Sequence, residues 1–432
     1  MRELPQAFVE RMAAQLREEL PAFLRSYEEP YQRGLRLNPL KRPEGGLPED
    51  DLIGRIPWEA EGRYLKAESA AGASVLHEAG AFYLQEPSAM LPAAVLAPQP
   101  GERVLDLCAA PGGKTTQLGG RMMGRGLLVS NEPVLKRAQI LARNVERMGV
   151  INALVVSALP DALAKRWPEG FDAVQVDAPC SGEGMFRRHP ETRDEWTSEA
   201  PAGCAKRQAE ILDAASALVR PGGRLVYSTC TLNPVENEET VAAFCRRHPE
   251  FAPEGFTLPG ACAPEGMLTC YPHRMRGEGH FTALLRRRGS GEAVLPRDAS
   301  LPRAGREQTA ALRSFLPDAP EDVLQLGSAL AVLPDCPDVR GLKVLRAGLH
   351  LGEARGKLFF PDHALAMSMT PPPCPRVNLD EDAARRYLAG EALPVQDAPR
   401  GFVLPCFEGL PLGWGKVSDG IMKNHYPKGL RR

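Results

Sequence analysis

The chain is expected to be an α/β protein, with a doubly wound, mostly parallel sheet at its centre. A small α+β unit precedes that sheet and a β-rich module follows it. Three features of the sequence lead there. From Gly101 onward, short apolar runs alternate with helix-length stretches, the pattern of strand–helix–strand units that pack as a parallel sheet. Several of those runs end in acids, cysteines and turn residues, as strands do where they open on a ligand crevice. After Gly289 the regular alternation stops, and short strand-like pieces separated by glycine and proline take over.

At 432 residues the chain should hold two or three domains and can bury a sizeable core. Lys+Arg 53 against Asp+Glu 54 gives a formal charge of -1, so any contact with nucleic acid must come from local basic patches. None of the ten cysteines forms a Cys-x-x-Cys pair, which argues against zinc. Met1-Arg2-Glu3-Leu4-Pro5 is no secretory signal and no apolar run reaches membrane-spanning length, so a cytosolic protein with reduced thiols is expected.

In order along the chain, Phe8, Met12, Leu16, Leu20 and Leu24 fall on one helical face, and Pro21 should kink or restart that helix. Gly34–Asn38 alternates as a strand; Ile56–Trp58 and Arg63–Leu65 continue a mixed unit to about Gly72, and a helix should start after Pro87. In the central region, strands are expected at 103–108, 126–130, 153–157, 171–176 and 223–230. Helices are expected from Lys114, over 134–148 and over 205–219, the last closed by Arg220-Pro-Gly-Gly223. Gly289 to about Pro302 reads as a linker. Val344–Gly352, Lys357–Phe360, Phe402–Phe407 and Leu412–Val417 read as strands of the last module.

The candidate chemistry lies at the strand ends. Asp177 and Cys180 follow one apolar run, on a turn shaped by Pro179 and Gly182, and Cys230 ends another. Buried packing would explain either cysteine alone, but two at matching strand ends point to a site. Gly112-Gly113-Lys114-Thr115 is not a Walker A loop, because Cys108 stands where the first glycine should be. It is a close backbone approach at a helix N-terminus, suited to a carboxylate or ribose. Glu132 ends the next strand, where an acid can accept from ribose hydroxyls or simply start a helix in solvent. Together these residues indicate an adenosyl cofactor, with S-adenosylmethionine ahead of NAD. The Arg187-Arg188-His189 turn is open between an RNA phosphate contact and a solvated loop.

Asp106-Leu-Cys-Ala-Ala-Pro-Gly-Gly-Lys-Thr115, Asp177-Ala-Pro-Cys-Ser-Gly-Glu-Gly184 and Ser228-Thr-Cys-Thr-Leu-Asn-Pro-Val-Glu-Asn-Glu238 resemble the Sun/nucleolar-type RNA 5-methylcytosine methyltransferases. Tyr271–Phe281 and the stretch from Gly413 to Gly429 are similar to the RsmF-type, small-subunit ribosomal RNA branch. The resemblance implies a Rossmann-like S-adenosylmethionine-dependent domain with a PUA-like RNA-binding domain at the C-terminus. It implies that Cys108, Ala109, Ala110, Pro111, Gly112, Gly113 and Lys114 line the cofactor, and that Glu132 holds its ribose. Asp177 then lies between cofactor and base, Cys230 is the nucleophile and Cys180 helps release the product, with Lys114 counted in the catalytic set. Many members carry an aspartate after the third strand, near the adenine; Ser157-Ala158 stands there instead.

The expected division is 1–75 (accessory α+β), 76–290 (catalytic), 291–335 (linker and a small helical/β segment) and 336–432 (PUA-like). Lys416, Lys423, Lys428, Arg431 and Arg432, interleaved with Trp414, His425 and Tyr426, suggest an RNA-binding tail. The expected partner is ribosomal RNA, free or in the assembled small subunit, with no membrane and no metal, and with the chain acting as a cytoplasmic monomer. Two alternatives stay open: the same chemistry on transfer RNA or large-subunit RNA, and a non-catalytic RNA-binding assembly factor.

Overall fold

The computed structural model describes residues 3–47, 49–297, 302–333 and 335–431. Of the expected linker, residues 298–301 lie outside that set, as does Arg432 of the basic tail.

The N-terminal helical face is real but broken. Helix α1 (Gln6–Leu16) ends where Arg17 takes φ 49, and α2 (Leu20–Ser26) restarts with Pro21 in its first turn, where a missing N–H costs nothing. Phe8, Met12 and Leu16 are buried and pack with Phe23 against Phe186, Leu232 and Tyr271 of the central region. Strands β1 (Arg33–Leu37), β2 (Leu52–Arg55), β3 (Gly62–Leu65) and β4 (Phe82–Leu84) then form an antiparallel sheet in the order β2-β3-β1-β4. A short helix, α3 (Leu91–Leu96), leads into the centre.

That centre follows the expected alternation: β5 (Arg103–Asp106), α4 (Gly113–Met122), β6 (Leu127–Asn131), α5 (Leu135–Arg147), β7 (Ala153–Ser157), β8 (Phe171–Asp177), α6 (Ala200–Leu218), β9 (Val219–Thr229) and β10 (His280–Arg287). The nine-stranded sheet runs, from one edge, through the strand Phe251–Pro253, β10, β9, β8, β5, β6 and β7. The five strands from β9 to β7 are parallel. Side-chain alternation explains their continuous apolar runs: Leu105, Val129, Val174 and Leu225 enter the core on one face, Val104, Leu128, Ala173 and Val226 the core on the other. The chain leaves β5 toward β6 and β7, then returns to lay β8 and β9 on the other side of β5. The ends of β5 and β8 therefore flank a topological switch point, where such sheets place their ligands.

Two expectations change. Arg220–Gly223, expected to close the preceding helix, belongs to β9, which begins at Val219 and absorbs the extra residues at a register shift opposite Phe171/Ala173. Val344–Gly352, expected as one strand of the last module, is split. Lys343–Ala347 (β11) pairs antiparallel with β7, so Leu154 and Val156 do not end on an open apolar edge. The remainder joins a four-stranded antiparallel sheet made of Leu324–Leu326, Ala329–Val332, Leu349–Arg355 and Leu358–Pro361.

The last sheet is built around Gly401–Phe407, Gly415–Ser418 and Ile421–Asn424. Its core is continuous with the N-terminal unit, where Leu35, Leu65 and Phe82 share a cluster with Tyr387, Leu388 and Val403. Two aromatic residues assigned to the RNA-binding tail are part of this interior instead: Trp414 and Tyr426 are 1% and 5% exposed. The Trp414 indole donates to the carbonyl of Asp362 at 2.8 Å, so it anchors a turn and offers no stacking face. Lys416, Lys423, Lys428, Arg431 and His425 are exposed. Among the described residues, no helix is long and apolar enough to cross a membrane.

Candidate active site

The cofactor-type loop is shaped by glycine and held from behind by α5. Gly112 has φ +114, a conformation closed to most side chains, and an added Cβ would press on Leu141. The Arg137 guanidinium donates to the carbonyl of Ala110, and the Asn144 amide to that of Pro111. Ala109 N–H donates to Asn131 O at 2.8 Å, tying the loop to the end of β6. Beneath it, Asp106 is fully buried; its Oδ2 accepts from Thr115 at 2.7 Å, and its Oδ1 has no partner among the described residues. Burial pushes this carboxyl up to about 7.

That shift predicts a pH effect on stability. The folded value lies above the ordinary aspartate value of ~3.9, so the contribution is fully present below about pH 4 and is lost as pH rises to about 7. In cofactor-free protein, Asp106→Asn should remove this decline from the unfolding free energy, as read by urea titrations at pH 4.5 and 7.5.

Lys114, in the first turn of α4, turns away from the loop toward β8. Its ammonium lies 2.7 Å from Asp177 Oδ2, and Asp177 Oδ1 accepts from Ser228 at 2.8 Å. Burial alone would raise the Asp177 carboxyl. The charge of Lys114 and the contact with His280 outweigh it, and hold the group well below the usual carboxylate range. Burial likewise disfavours the Lys114 charge, but Asp177 more than compensates and raises it. The result is a carboxylate and an ammonium fixed side by side, both charged.

The two cysteines meet. Asp177 pairs with Ser228 across parallel strands, so the loops that follow run side by side and leave Cys180 Sγ 3.2 Å from Cys230 Sγ, with both thiols free. The hydrogen bond with Cys230, and then burial, push the Cys180 thiol well above its ordinary range. Cys180 therefore keeps its proton, and in its contact with Cys230 either sulfur can donate. Buried Glu236 holds the Cys180 loop through the N–H of Ser181 and the amide of Gln208, which also reaches Pro179 O. Gly184 N–H donates to Cys230 O at 2.9 Å, and an added Cβ on Gly184 would sit 2.1 Å from Gly279 O.

One cavity of about 830 Å³ takes in Cys108, Ala110, Glu132, Asp177, Cys180 and Cys230. Of the glycine-rich loop, Cys108 and Ala110 face it, whereas Ala109, Pro111, Gly112 and Gly113 lie behind and set the loop's course. Burial pushes the Cys108 thiol far up, so it is inert as a nucleophile. Glu132 is buried, accepts from Val134 N–H at 2.9 Å and lies 3.3 Å from Arg137.

The sequence did not single out the walls beside Glu132. Val134 and Leu159 are 52% and 65% exposed yet line the cavity together with Pro133 and Pro160, forming apolar surfaces on which a flat ring can lie. Isolated apolar residues in loops have no period to reveal them, although each sits next to a proline that opens a helix or turn. The cavity suits S-adenosylmethionine. It combines an acid for hydroxyls with apolar walls for adenine, and it ends at the thiols. Among the described residues, no group of three His, Cys, Asp or Glu side chains is placed to hold a metal ion.

Arg187 does not face RNA. It is buried and grips Glu278 through Nε and Nη2 while donating to Ser26 O and Gly277 O. Arg188, next to it, is exposed over the Tyr31 ring. Arg187→Ala leaves Glu278 buried and unpaired, and should cost about 3–5 kcal/mol in chemical denaturation.

Comparison with known proteins agrees with this arrangement. Residues 93–286 match the family described as 16S rRNA methyltransferase RsmB/F, and residues 4–87 the N-terminal domain of 16S rRNA methyltransferase RsmF. Residues 310–369 match the RsmF first C-terminal domain, and 374–432 the RsmF PUA domain. The Klebsiella pneumoniae (strain 342) protein named ribosomal RNA small subunit methyltransferase F is 32% identical over 98% of this chain and 97% of its own. A solved methyltransferase homolog protein from Pyrococcus horikoshii is 28% identical with a TM-score of 0.53, covering 62% of this chain and 91% of that one. The solved chain titled PH0851 is 33% identical with a TM-score of 0.61, covering 65% of this chain and 66% of that one. With all four stretches matched in order, the chain belongs to the RsmF family of 16S rRNA methyltransferases.

Proposed function

We propose that this protein methylates carbon 5 of cytidine in small-subunit ribosomal RNA, using S-adenosylmethionine, through a covalent bond between Cys230 and the base. The observation that carries the reading is the thiol pair, 3.2 Å apart, beside the Lys114–Asp177 pair at the end of one cavity. When bound, S-adenosylmethionine supplies an electrophilic sulfonium methyl group.

The rest falls to the protein. Carbon 5 of cytosine is a weak nucleophile until a thiolate adds to carbon 6 and breaks the ring's aromaticity. Cys230 is suited to be that thiolate because, once it is ionised, the Cys180 thiol is a donor within reach of its sulfur. Asp177, held ionised, accepts from the exocyclic amino group of the base, and Lys114 keeps it charged and aimed. Once Cys230 is bonded to carbon 6, its sulfur no longer takes the Cys180 hydrogen bond; Cys180 then gives its own proton to solvent, and its thiolate takes the one on carbon 5. Carbon 5 and carbon 6 recover their double bond and Cys230 leaves. Reaching carbon 6 needs an unpaired or flipped base, costing a few kcal/mol in a helix and less in a loop.

Ala109 to Gly113 shape the cofactor loop, Cys108 and Ala110 line it, and Glu132 holds the ribose hydroxyls. We retain 1–75, 76–290, 291–335 and 336–432 as the working division, with the last part contacting RNA. Lys416 and Lys423 support this, being cross-strand partners on an exposed face, with Lys416 5.2 Å from the Phe402 ring. The assembled small subunit is the proposed substrate and a cytoplasmic monomer the working form. The test is transfer of labelled methyl to unmodified small subunits, free ribosomal RNA and transfer RNA, followed by nucleoside analysis. Label in 5-methylcytidine of small-subunit RNA is expected; label in another nucleoside, or in none, would refute the proposal.

A further inference from the structure

His280 has no role in the scheme so far, yet it is built into the site. It opens β10, whose Phe281 pairs with Thr229, so it stands beside the Cys230 end of β9. The side chain is 5% exposed, and its Nε2 lies 3.8 Å from Asp177 Oδ1 without a hydrogen bond to any described residue. Folds seldom leave a buried imidazole nitrogen unsatisfied for packing alone. Its backbone is fixed on the preceding side: Glu278 is clamped by Arg187 and donates its N–H to Glu86, and Gly279 abuts Gly184 so closely that no side chain fits there. The ring is therefore held near Asp177 by structure that a merely space-filling residue would not need.

The scheme also leaves a proton to be supplied. Thiolate addition to carbon 6 drives negative charge to N3 of the ring, next to a carboxylate that is already ionised. Carboxylate and anionic ring repel unless a proton arrives. Lys114 is committed to Oδ2, on the far side of the carboxylate from His280. Around His280 stand Asp177 on β8, with Lys114 on its other oxygen, Cys270, its register partner on the neighbouring strand, and, on the segment leading to it, Glu278 with Glu86 and Arg187. Of side-chain types, imidazole is the one that changes charge between about pH 5 and 8.

We propose that His280 is a positioning residue that supplies, through Asp177, the proton that neutralises the target base as Cys230 adds to it. This rests on the proposed cytosine-5 reaction. The bond from Cys230 sulfur to carbon 6 forms, and the electron pair of the 5,6 double bond moves into the ring. The His280 Nε2 proton passes to Asp177 Oδ1, and the carboxyl so formed hands that same proton to N3, which leaves His280 neutral and Asp177 ionised again. On release, the carbon 5–H pair re-forms the double bond, the sulfur–carbon bond breaks to return the thiolate, and the N3 proton goes back along the same path. No oxidant or further reactant is involved.

The experiment is the pH profile of kcat from pH 6 to 9, at saturating S-adenosylmethionine and unmodified small ribosomal subunits, for full-length wild type, His280→Gln and Ser228→Ala. Ser228→Ala removes a different Asp177 contact and serves as the control. Wild type and Ser228→Ala should both show kcat falling at the alkaline end. His280→Gln should lose that limb and about 10- to 100-fold of kcat, with KM for both substrates within about threefold. A His280→Gln profile that keeps the limb overturns the proposal, whatever the rate. Should that variant fail to fold, a wild-type profile without an alkaline limb overturns it on its own. Wild type that transfers no methyl group at any pH instead overturns the cytosine-5 reading beneath it.

Discussion

Cys230→Ala should abolish methyl transfer, lowering kcat by about four orders of magnitude or more, while cofactor affinity stays within a few-fold of wild type. The size follows from the chemistry. Without a thiolate at carbon 6 the ring stays aromatic and carbon 5 has no electron pair to offer; removal of a covalent nucleophile elsewhere costs a comparable factor. Cofactor affinity should hold because Glu132, Ala110 and the walls at Val134 and Leu159 lie on other loops. Cys180→Ala should behave differently. It leaves the nucleophile but removes the group that takes the carbon 5 proton, so turnover stops after transfer. Single-turnover label incorporation separates the two: absent in the first variant, retained on covalently bound RNA in the second.

The second large effect is at the charged pair. Asp177→Asn keeps shape but removes the charge that holds Lys114, an ammonium 9% exposed in its side chain. The variant should lose about 10²–10³ in kcat, because the acceptor for the base's amino group loses its charge and a buried cation is left without its counter-charge. It should also lose about 2 kcal/mol of stability, the scale of a hydrogen bond to a charged group. Adding Lys114→Met should restore much of the stability and none of the rate. That divergence, read by urea denaturation beside steady-state assays, shows that the pair is kept for chemistry at a structural cost.

Much of this site could be read from the chain because parallel sheets advertise their strand ends. Asp177, Cys180 and Cys230 each end or follow an apolar run, and the parallel pairing of β8 with β9 makes those ends neighbours. What could not be read was pairing at long range. Nothing near Lys114 says that it reaches across to β8 instead of facing the cofactor loop, and nothing near Arg187 reveals that Glu278 will neutralise it. Arg187 was open between a phosphate contact and a solvated loop and is neither, because a basic turn and a buried ion-pair anchor have the same local composition. Trp414 and Tyr426 misled for a related reason: aromatic residues among lysines suggest stacking on bases, but here they are buried while the lysines and His425 face outward. The edge strand Lys343–Ala347 was hidden too, since its role is set by the open edge of β7, far back in the sequence.

The central claim is that Cys230 forms a covalent bond with the base and Cys180 breaks it. Its most direct test is to incubate Cys180→Ala with S-adenosylmethionine and unmodified small-subunit RNA and to run the mixture on a denaturing gel. A protein–RNA band should accumulate, disappear in Cys180→Ala/Cys230→Ala, and carry the labelled methyl group. If no band forms while the wild type methylates the same RNA, or if the band survives loss of Cys230, the two-cysteine account is wrong.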